Sequence, residues 1–358
     1  MTWKKWAALF VLLGGAASGE EAVSTQGQLN VVPFLLPAYQ PETGWMLGSA
    51  AALVHQPPPG SKLKESQVLL AAVASLKGQF SLLLQPDWYV LEDRLHFGGT
   101  VSVARFPDSF FGVGNATRAQ DEEPYTPIYL ELELSPKWNL GGGFYLGPSF
   151  RLQHARIVEV EPGGLLETGG SPGASGGTTV QLGVSALWDT RDSALYPRKG
   201  SLVRGFLRIA QPALGSQYDS DVLRLDGRHY LTLPWAGHVL ALQGLVELRR
   251  GEPPFYDTGK LGGGEIMRGY YEGRFRDRQH LALQAEYRAP LFWRLGAVAF
   301  ASVGTVARSL DDLRLTSLKP AGGAGLRLAP LPDVPVNIRL DVAYGTDVQF
   351  YLNIGEAF

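Results

Sequence analysis

Side chains able to do covalent or metal chemistry are few in this chain and are not grouped. The six histidines stand at His55, His96, His154, His229, His238 and His280, with no His-x-x-x-His spacing among them. Zero cysteines exclude disulfide frameworks, thiolate metal sites and cysteine nucleophiles together. Glu131 and Glu133 lie two residues apart, on one face of a predicted strand, and read as a polar wall rather than an acid/base pair. His280 could present an imidazole to an interior, but no serine adjoins it to build a Ser–His pair. No catalytic, cofactor-binding or metal site is therefore expected, and no enzyme activity. One cluster does carry a readable chemistry, the run Gly262-Gly263-Gly264-Glu265-Ile266-Met267-Arg268-Gly269-Tyr270. Arg268 offers a planar fork suited to a carboxylate. Gly269 lets the backbone turn tightly, and Tyr270 supplies a ring that can pack against a wall.

The elements that must position these residues are strands. Glycine accounts for 44 of the 358 residues and aromatics for 11%, while charged residues reach only 18%. Many aromatics with a small net charge exclude disorder, and a formal charge of −2 leaves no polybasic footprint for a nucleic-acid partner. The longest apolar stretch, Trp6 to Ala17, falls well short of the ~18 residues that read as a spanning helix. A helical membrane protein is thereby excluded. A transmembrane β-barrel, with its glycine, aromatics and short apolar runs, is not.

Lys4 and Lys5 precede that apolar stretch and the small residues Ala16-Ala17-Ser18-Gly19 close it. These are the parts of a secretory signal peptide over 1–19, cut near Ala17 to Gly19. The alternative, a buried core helix, would have to begin at the initiating Met with two lysines. Residues 20–28 then form a short periplasmic N-terminus, and 29–358 the barrel.

From Leu29 onward period-two alternation replaces helical periodicity. Ile128, Leu130, Leu132 and Leu134 alternate with Tyr129, Glu131, Glu133 and Ser135, and Leu281, Leu283, Ala285 and Tyr287 alternate with His280, Gln284, Glu286 and Arg288. A soluble sandwich would alternate too, so length and number must decide. Sixteen such segments can be counted between residues 29 and 357, many of them near the roughly 9–11 residues needed to cross a bilayer at a tilt. The four longest connections, about 107–124, 161–176, 251–278 and 308–318, all follow an odd-numbered segment. With a periplasmic N-terminus they would all lie outside the cell. The predicted fold is all-β, a 16-stranded antiparallel transmembrane barrel of the outer membrane, surrounded by outer-membrane lipid. Phe358 closes the run Val348, Phe350, Leu352, Ile354. It reads as a C-terminal assembly signal for the barrel assembly machinery, or as an ordinary last strand that happens to end in Phe.

Four stretches then carry a family resemblance. The Gly262 to Tyr270 run is similar to the Arg-Gly-aromatic tip of the sixth extracellular loop in BamA/TamA-type barrels, the bacterial surface antigen superfamily. Glu286-Tyr287-Arg288 is similar to that family's Glu-Tyr-Arg strand. Asp189-Thr190-Arg191-Asp192, with Tyr196-Pro197 and Gly200, resembles its Asp-x-Arg-Asp…Pro-x-x-Gly turn. Gly325-Leu326-Arg327 and Arg339-Leu340-Asp341 fit its closing strands. The resemblance implies that the sixth loop folds into the lumen as a lock, in which Arg268 pairs with acids of the inner wall. Glu286, on the polar face of its strand, is then the matching acid. The alternative is a solvated loop arginine. Two positions depart from the family. Ser302, in Phe300-Ala301-Ser302-Val303-Gly304, stands where the family usually has Asp, so the lock is either weaker or relies on Asp341, with Ser302 and Asp341 as the candidate additional partners; Met267 replaces a Val, Ile or Leu.

The resemblance also implies a lateral gate where the first strand meets the last. Pro33 and Pro37 cannot donate to a ladder and are confined in sheets to edges, strand starts or bulges. They predict a weakly bonded seam opposite Phe350 and Leu352, unless both lie outside the paired segment. Only about ten residues would separate signal cleavage from the first strand. No POTRA or patatin-like domain is therefore expected ahead of the barrel, and a separate periplasmic or POTRA-bearing partner would have to deliver clients. The function implied is insertion or translocation of proteins at the outer membrane. The alternative is a passive pore or structural barrel that has lost assembly activity.

Overall fold

The structure is a computed structural model, and it describes residues 27–40, 44–58, 60–61, 63–75, 78–194, 196–329 and 337–358. The signal peptide expected over 1–19, and the residues up to 26, lie outside the described residues. What is described is almost entirely antiparallel strand. The first five are β1 (Gln28–Gln40), β2 (Gly44–Gln56), β3 (Ser66–Ser75), β4 (Phe80–Val90) and β5 (Leu95–Arg105). After the short β6 (Asp108–Phe110) come β7 (Glu123–Gly141), β8 (Phe144–Val160), β9 (Gly176–Asp189) and β10 (Gly200–Ala210). Then follow β11 (Ser220–Thr232), β12 (Val239–Gly251) and a loop hairpin of β13 (Gly259–Leu261) and β14 (Phe275–Asp277). The chain ends through β15 (Gln279–Pro290), β16 (Leu295–Ala307), β17 (Lys319–Leu328), β18 (Ile338–Tyr344) and β19 (Val348–Ile354).

Each long strand bonds to the next along the chain. Ladders link β1 to β2, β2 to β3 and so on to β18 with β19, with β5 joined directly to β7 and β12 directly to β15. Among the described residues no ladder joins β19 back to β1. Alternation decides which way each residue points, because successive strand side chains face opposite sides. Along β12, Ala241, Gln243, Leu245, Glu247 and Arg249 are buried, whereas the intervening Leu242 is exposed. Leu82, Leu130, Leu182, Leu207 and Leu283 are likewise exposed on the outer face. The inner face holds Glu131, Gln153, Arg208, Gln243 and Glu286, all buried. This inverts a soluble protein, in which apolar groups would be inside, and it is the pattern of a transmembrane barrel wall.

The inner wall is not uniform. A cavity of about 670 Å³ is bounded on one side by Arg151, Arg208, Arg224 and Glu247, and on the other by Ala50, Leu69, Ala71, Val73 and Leu83 from β2–β4. Toward the cavity β2–β4 thus present mainly small and apolar side chains, with Gln85 among them. The long connections carry local structure that alternation does not show. Residues 108–110 extend the sheet beside the start of β7, which shifts register at Thr126/Pro127.

One expectation changes at the end of the chain. Phe358 does not continue the alternating strand, because β19 stops at Ile354 and Gly355 turns the chain at φ +80°. Phe358 is instead buried against Tyr230, Val239 and Ala241, and its main-chain oxygen accepts a 2.7 Å bond from Arg288. The physical cause is charge, since Glu356 is drawn inward to Arg327 at 2.8 Å.

Candidate functional site

The connection between β12 and β15 enters the lumen. Its first part is a short turn, Phe255–Asp257, and β13 and β14 pair Gly259 with Asp277 and Leu261 with Phe275. The hairpin delivers the tip, which is folded tightly: Gly263 donates to the Tyr270 carbonyl at 3.1 Å and Tyr270 donates to the Met267 carbonyl at 3.3 Å. Met267 is held in the left-handed region at φ +57°, a conformation that costs a side-chain-bearing residue about 1–2 kcal/mol. Its burial among Leu245, Leu261, Ile266 and Val306 offsets that strain. The unbranched methionine fills this cluster.

Arg268 sits at the apex with no exposed surface. Nη2 donates to Glu286 Oε2 on β15 and Nη1 to Asp341 Oδ2 on β18, both at 2.6 Å. The Phe300 ring on β16 lies beneath the guanidinium, 3.4 Å from its carbon to the ring centroid. The fork is thus shared between two strands and stacked on a third, which fixes its plane. The acids are shared in turn. Arg288 Nε donates to the other oxygen of Glu286 at 2.8 Å, and Arg327 Nη1 donates to the other oxygen of Asp341 at 2.5 Å. Arg339 donates to the Gly264 carbonyl at 2.8 Å, so the glycine run is gripped as well. Four arginines surround three carboxylates, Glu286, Asp341 and Glu356, in a water-poor region. Buried pairs of this kind contribute little net stability but fix geometry, because an unpaired charge there is costly.

The neighbouring tip residues grip β19 and β17. The Gly269 N–H donates to the Tyr351 hydroxyl on β19 at 2.9 Å. Gly269 has φ +109°, and a Cβ placed on it would lie 2.5 Å from the Tyr344 carbonyl carbon, so only glycine fits. Tyr270 donates its hydroxyl to the Pro320 carbonyl at 2.9 Å and is buried in the same cluster as Met267.

Of the residues singled out in the sequence, the structure brings together Met267, Arg268, Gly269, Tyr270, Glu286 and Asp341. Ser302 is a correction: its hydroxyl is buried with no hydrogen-bond partner among the described residues, and Arg268 turns to Asp341 instead. The carboxylate that would have come from position 302 is replaced by one on the next wall strand but one. At the seam, the β1–β2 ladder runs through both prolines, setting Pro33 opposite Ala51 and Pro37 opposite Leu47. Phe350 and Leu352 pair with Val342 and Leu340 of β18. Phe300 and Arg327 stood in motifs without an assigned role, and two participants carried no sequence signal: Glu356 in the lock and Asp257 at the far end of the loop. Each is an ordinary residue for its place, and only the closure of distant strands brings it into contact.

The chain from 81 to 358 matches the model of the Omp85 superfamily domain. No curated protein matches its sequence. Among solved structures it resembles BamA from Haemophilus ducreyi lacking POTRA domains 1–3, with a TM-score of 0.59 and 13% identity over 93% of this chain and 70% of that one. CdiB from Escherichia coli gives a TM-score of 0.56 and 11% identity over 98% of this chain and 67% of that one. CdiB from Acinetobacter baumannii gives 0.51 and 9%, over 92% and 64%. At such identities the likeness is one of fold, while the domain match covers most of the chain. The inward loop with its Arg268 lock is thus set in a recognised framework, and the chain belongs to the Omp85 superfamily.

Proposed function

We propose that this chain is a sixteen-stranded barrel of the outer membrane that takes part in inserting or translocating proteins there, through a lateral seam between β1 and β19. The observation that carries the reading is the grip of the loop tip. Arg268 and Gly269 reach β18 and β19 through Asp341 and Tyr351, so the loop that fills the lumen also holds the last strand. Two further features support a seam. No ladder closes β19 onto β1 among the described residues, and the lumenal cavity extends to Leu352 and Asn353 on β19. An unpaired strand edge can template a client strand by main-chain hydrogen bonding. The outer leucines meet lipid, the barrel assembly machinery inserts the chain, and a separate periplasmic or POTRA-bearing partner delivers the client. No cofactor is involved.

Because the chain has no cysteine, cysteine pairs placed in β1 near Pro33 and in β19 near Phe350 report on the seam alone. Cross-linking them is expected to abolish insertion of a reporter barrel into proteoliposomes, and reduction to restore it. Unchanged insertion by the cross-linked protein would sink the proposal. A large, steady conductance in planar bilayers would instead favour the passive pore.

A further inference from the structure

We propose that Asp257 is a second pin of the lumenal loop, opposite in charge to Arg268 and seated on a different wall, so that the loop leaves the lumen only when both pins release. Its Oδ1 accepts from Arg151 Nη1 on β8 at 2.8 Å, and its Oδ2 accepts from Arg249 Nη1 on β12 at 3.0 Å. Each of these arginines spends its Nε on an acid of the wall, Arg151 on Glu131 at 2.7 Å and Arg249 on Glu247 at 3.0 Å. Glu247 is in turn paired with Arg224. Asp257 therefore completes a row of alternating charge, Glu131, Arg151, Asp257, Arg249, Glu247, Arg224, that runs from β7 through the loop to β11 and β12. Without it two guanidiniums would each lose a partner in the lumen. Asp257, Arg151 and Arg249 are all buried, which makes the loss costly.

The backbone delivers Asp257 as firmly as the hairpin delivers Arg268. Phe255 packs edge-on against Phe110 and Tyr125, at ring separations of 5.0 and 5.3 Å, and Tyr256 against Tyr129 at 5.7 Å. The Phe255 N–H donates to the Pro172 carbonyl at 2.8 Å, and Thr258 closes the turn on the Phe255 carbonyl at 2.8 Å. The first limb of the loop is thus tied to β6–β8 and the tip to β15–β19, while the return limb comes back to β6, where Tyr271 donates to Asp108 at 2.6 Å and Arg276 to the Ser109 carbonyl at 3.1 Å. Asp257 is held from β8 and β12 and Arg268 from β15 and β18; β12 and β15 are neighbours, whereas the outer holders, β8 and β18, stand eight long strands apart along the sheet. The loop is a beam across the lumen, and breaking one end leaves the other seated. Asp257 is a positioning residue in this scheme. The inference rests on the proposed function only for what the beam would gate.

A single cysteine at position 265 (Glu265→Cys) in the otherwise cysteine-free protein, probed with a membrane-impermeant maleimide in intact vesicles, reads loop release directly. Asp257→Asn and Arg268→Gln are each expected to speed labelling modestly. The double variant should exceed the product of the two effects, on the order of tenfold or more. Asp257→Glu, which keeps the charge, should label at the protected rate of the parent. Heat-modified migration on gels establishes that each variant is a folded barrel, and where Asp257→Asn does not fold, Arg151→Gln with Arg249→Gln removes the same pin from the wall side. A double variant that labels no faster than Arg268→Gln alone overturns the second pin. That outcome leaves the insertion reading standing, whereas unchanged insertion by the cross-linked seam overturns the insertion reading and leaves the pin.

Discussion

Removing the guanidinium of Arg268 would leave Glu286 and Asp341 each short of one partner, and removing the Asp341 carboxylate would do the same to Arg268 and Arg327. Each change is expected to cost about 3–5 kcal/mol, the usual penalty for stranding a buried charge. Arg268→Ala with Asp341→Asn together should cost less than the sum, since the second change removes a group already stranded. Denaturant unfolding of detergent-solubilised barrel measures this, and strictly additive losses would mean that the two side chains do not act on each other. At this scale the sequence was partly legible. Arg268, Glu286 and Asp341 could be read because short motifs mark them and because their charges demand partners. Glu356 could not, because the alternation leading into Phe358 disguised an inward tail as strand. Ser302 was readable only as a missing acid, and nothing local says that Asp341 can take both Arg268 and Arg327.

Strands succeed or fail through their neighbours. Along β9 the inward Gly183 lies so close to β10 that an added Cβ would sit 1.9 Å from the Leu207 carbonyl oxygen. Gly183→Ala must push β9 and β10 apart and is expected to destabilise by about 1–3 kcal/mol. Gly227 on β11 has nothing within 4 Å of the same position. Gly227→Ala is expected to stay within roughly 0.5 kcal/mol of the parent. Equal melting temperatures for the two variants would contradict the close approach. Long strands were legible from alternation alone, because each has one face for lipid and one for the lumen. The β13–β14 hairpin was not, since three-residue strands show no period and are held by the packing of Phe275 and Leu261. The Phe255–Asp257 turn was hidden for the same reason: its aromatic partners come from two distant strands, β6 and β7.

The whole molecule is a wall with a beam inside it. If the beam obstructs the lumen, replacing residues 262–273 by a short glycine linker should turn a low, intermittent conductance into a larger, steady one in planar bilayers. The same conductance from both proteins would show that the loop does not limit passage. The apolar inner face of β2–β4 has a consequence for the chain before it ever becomes a barrel. Residues 44–84 are rich in apolar residues and carry no charge except Lys62, Lys64, Glu65 and Lys77. In transit through an aqueous compartment this is the part most prone to self-association. A carrier that keeps the unfolded protein soluble would need to cover it first, and refolding from urea should lose yield to aggregates seeded there.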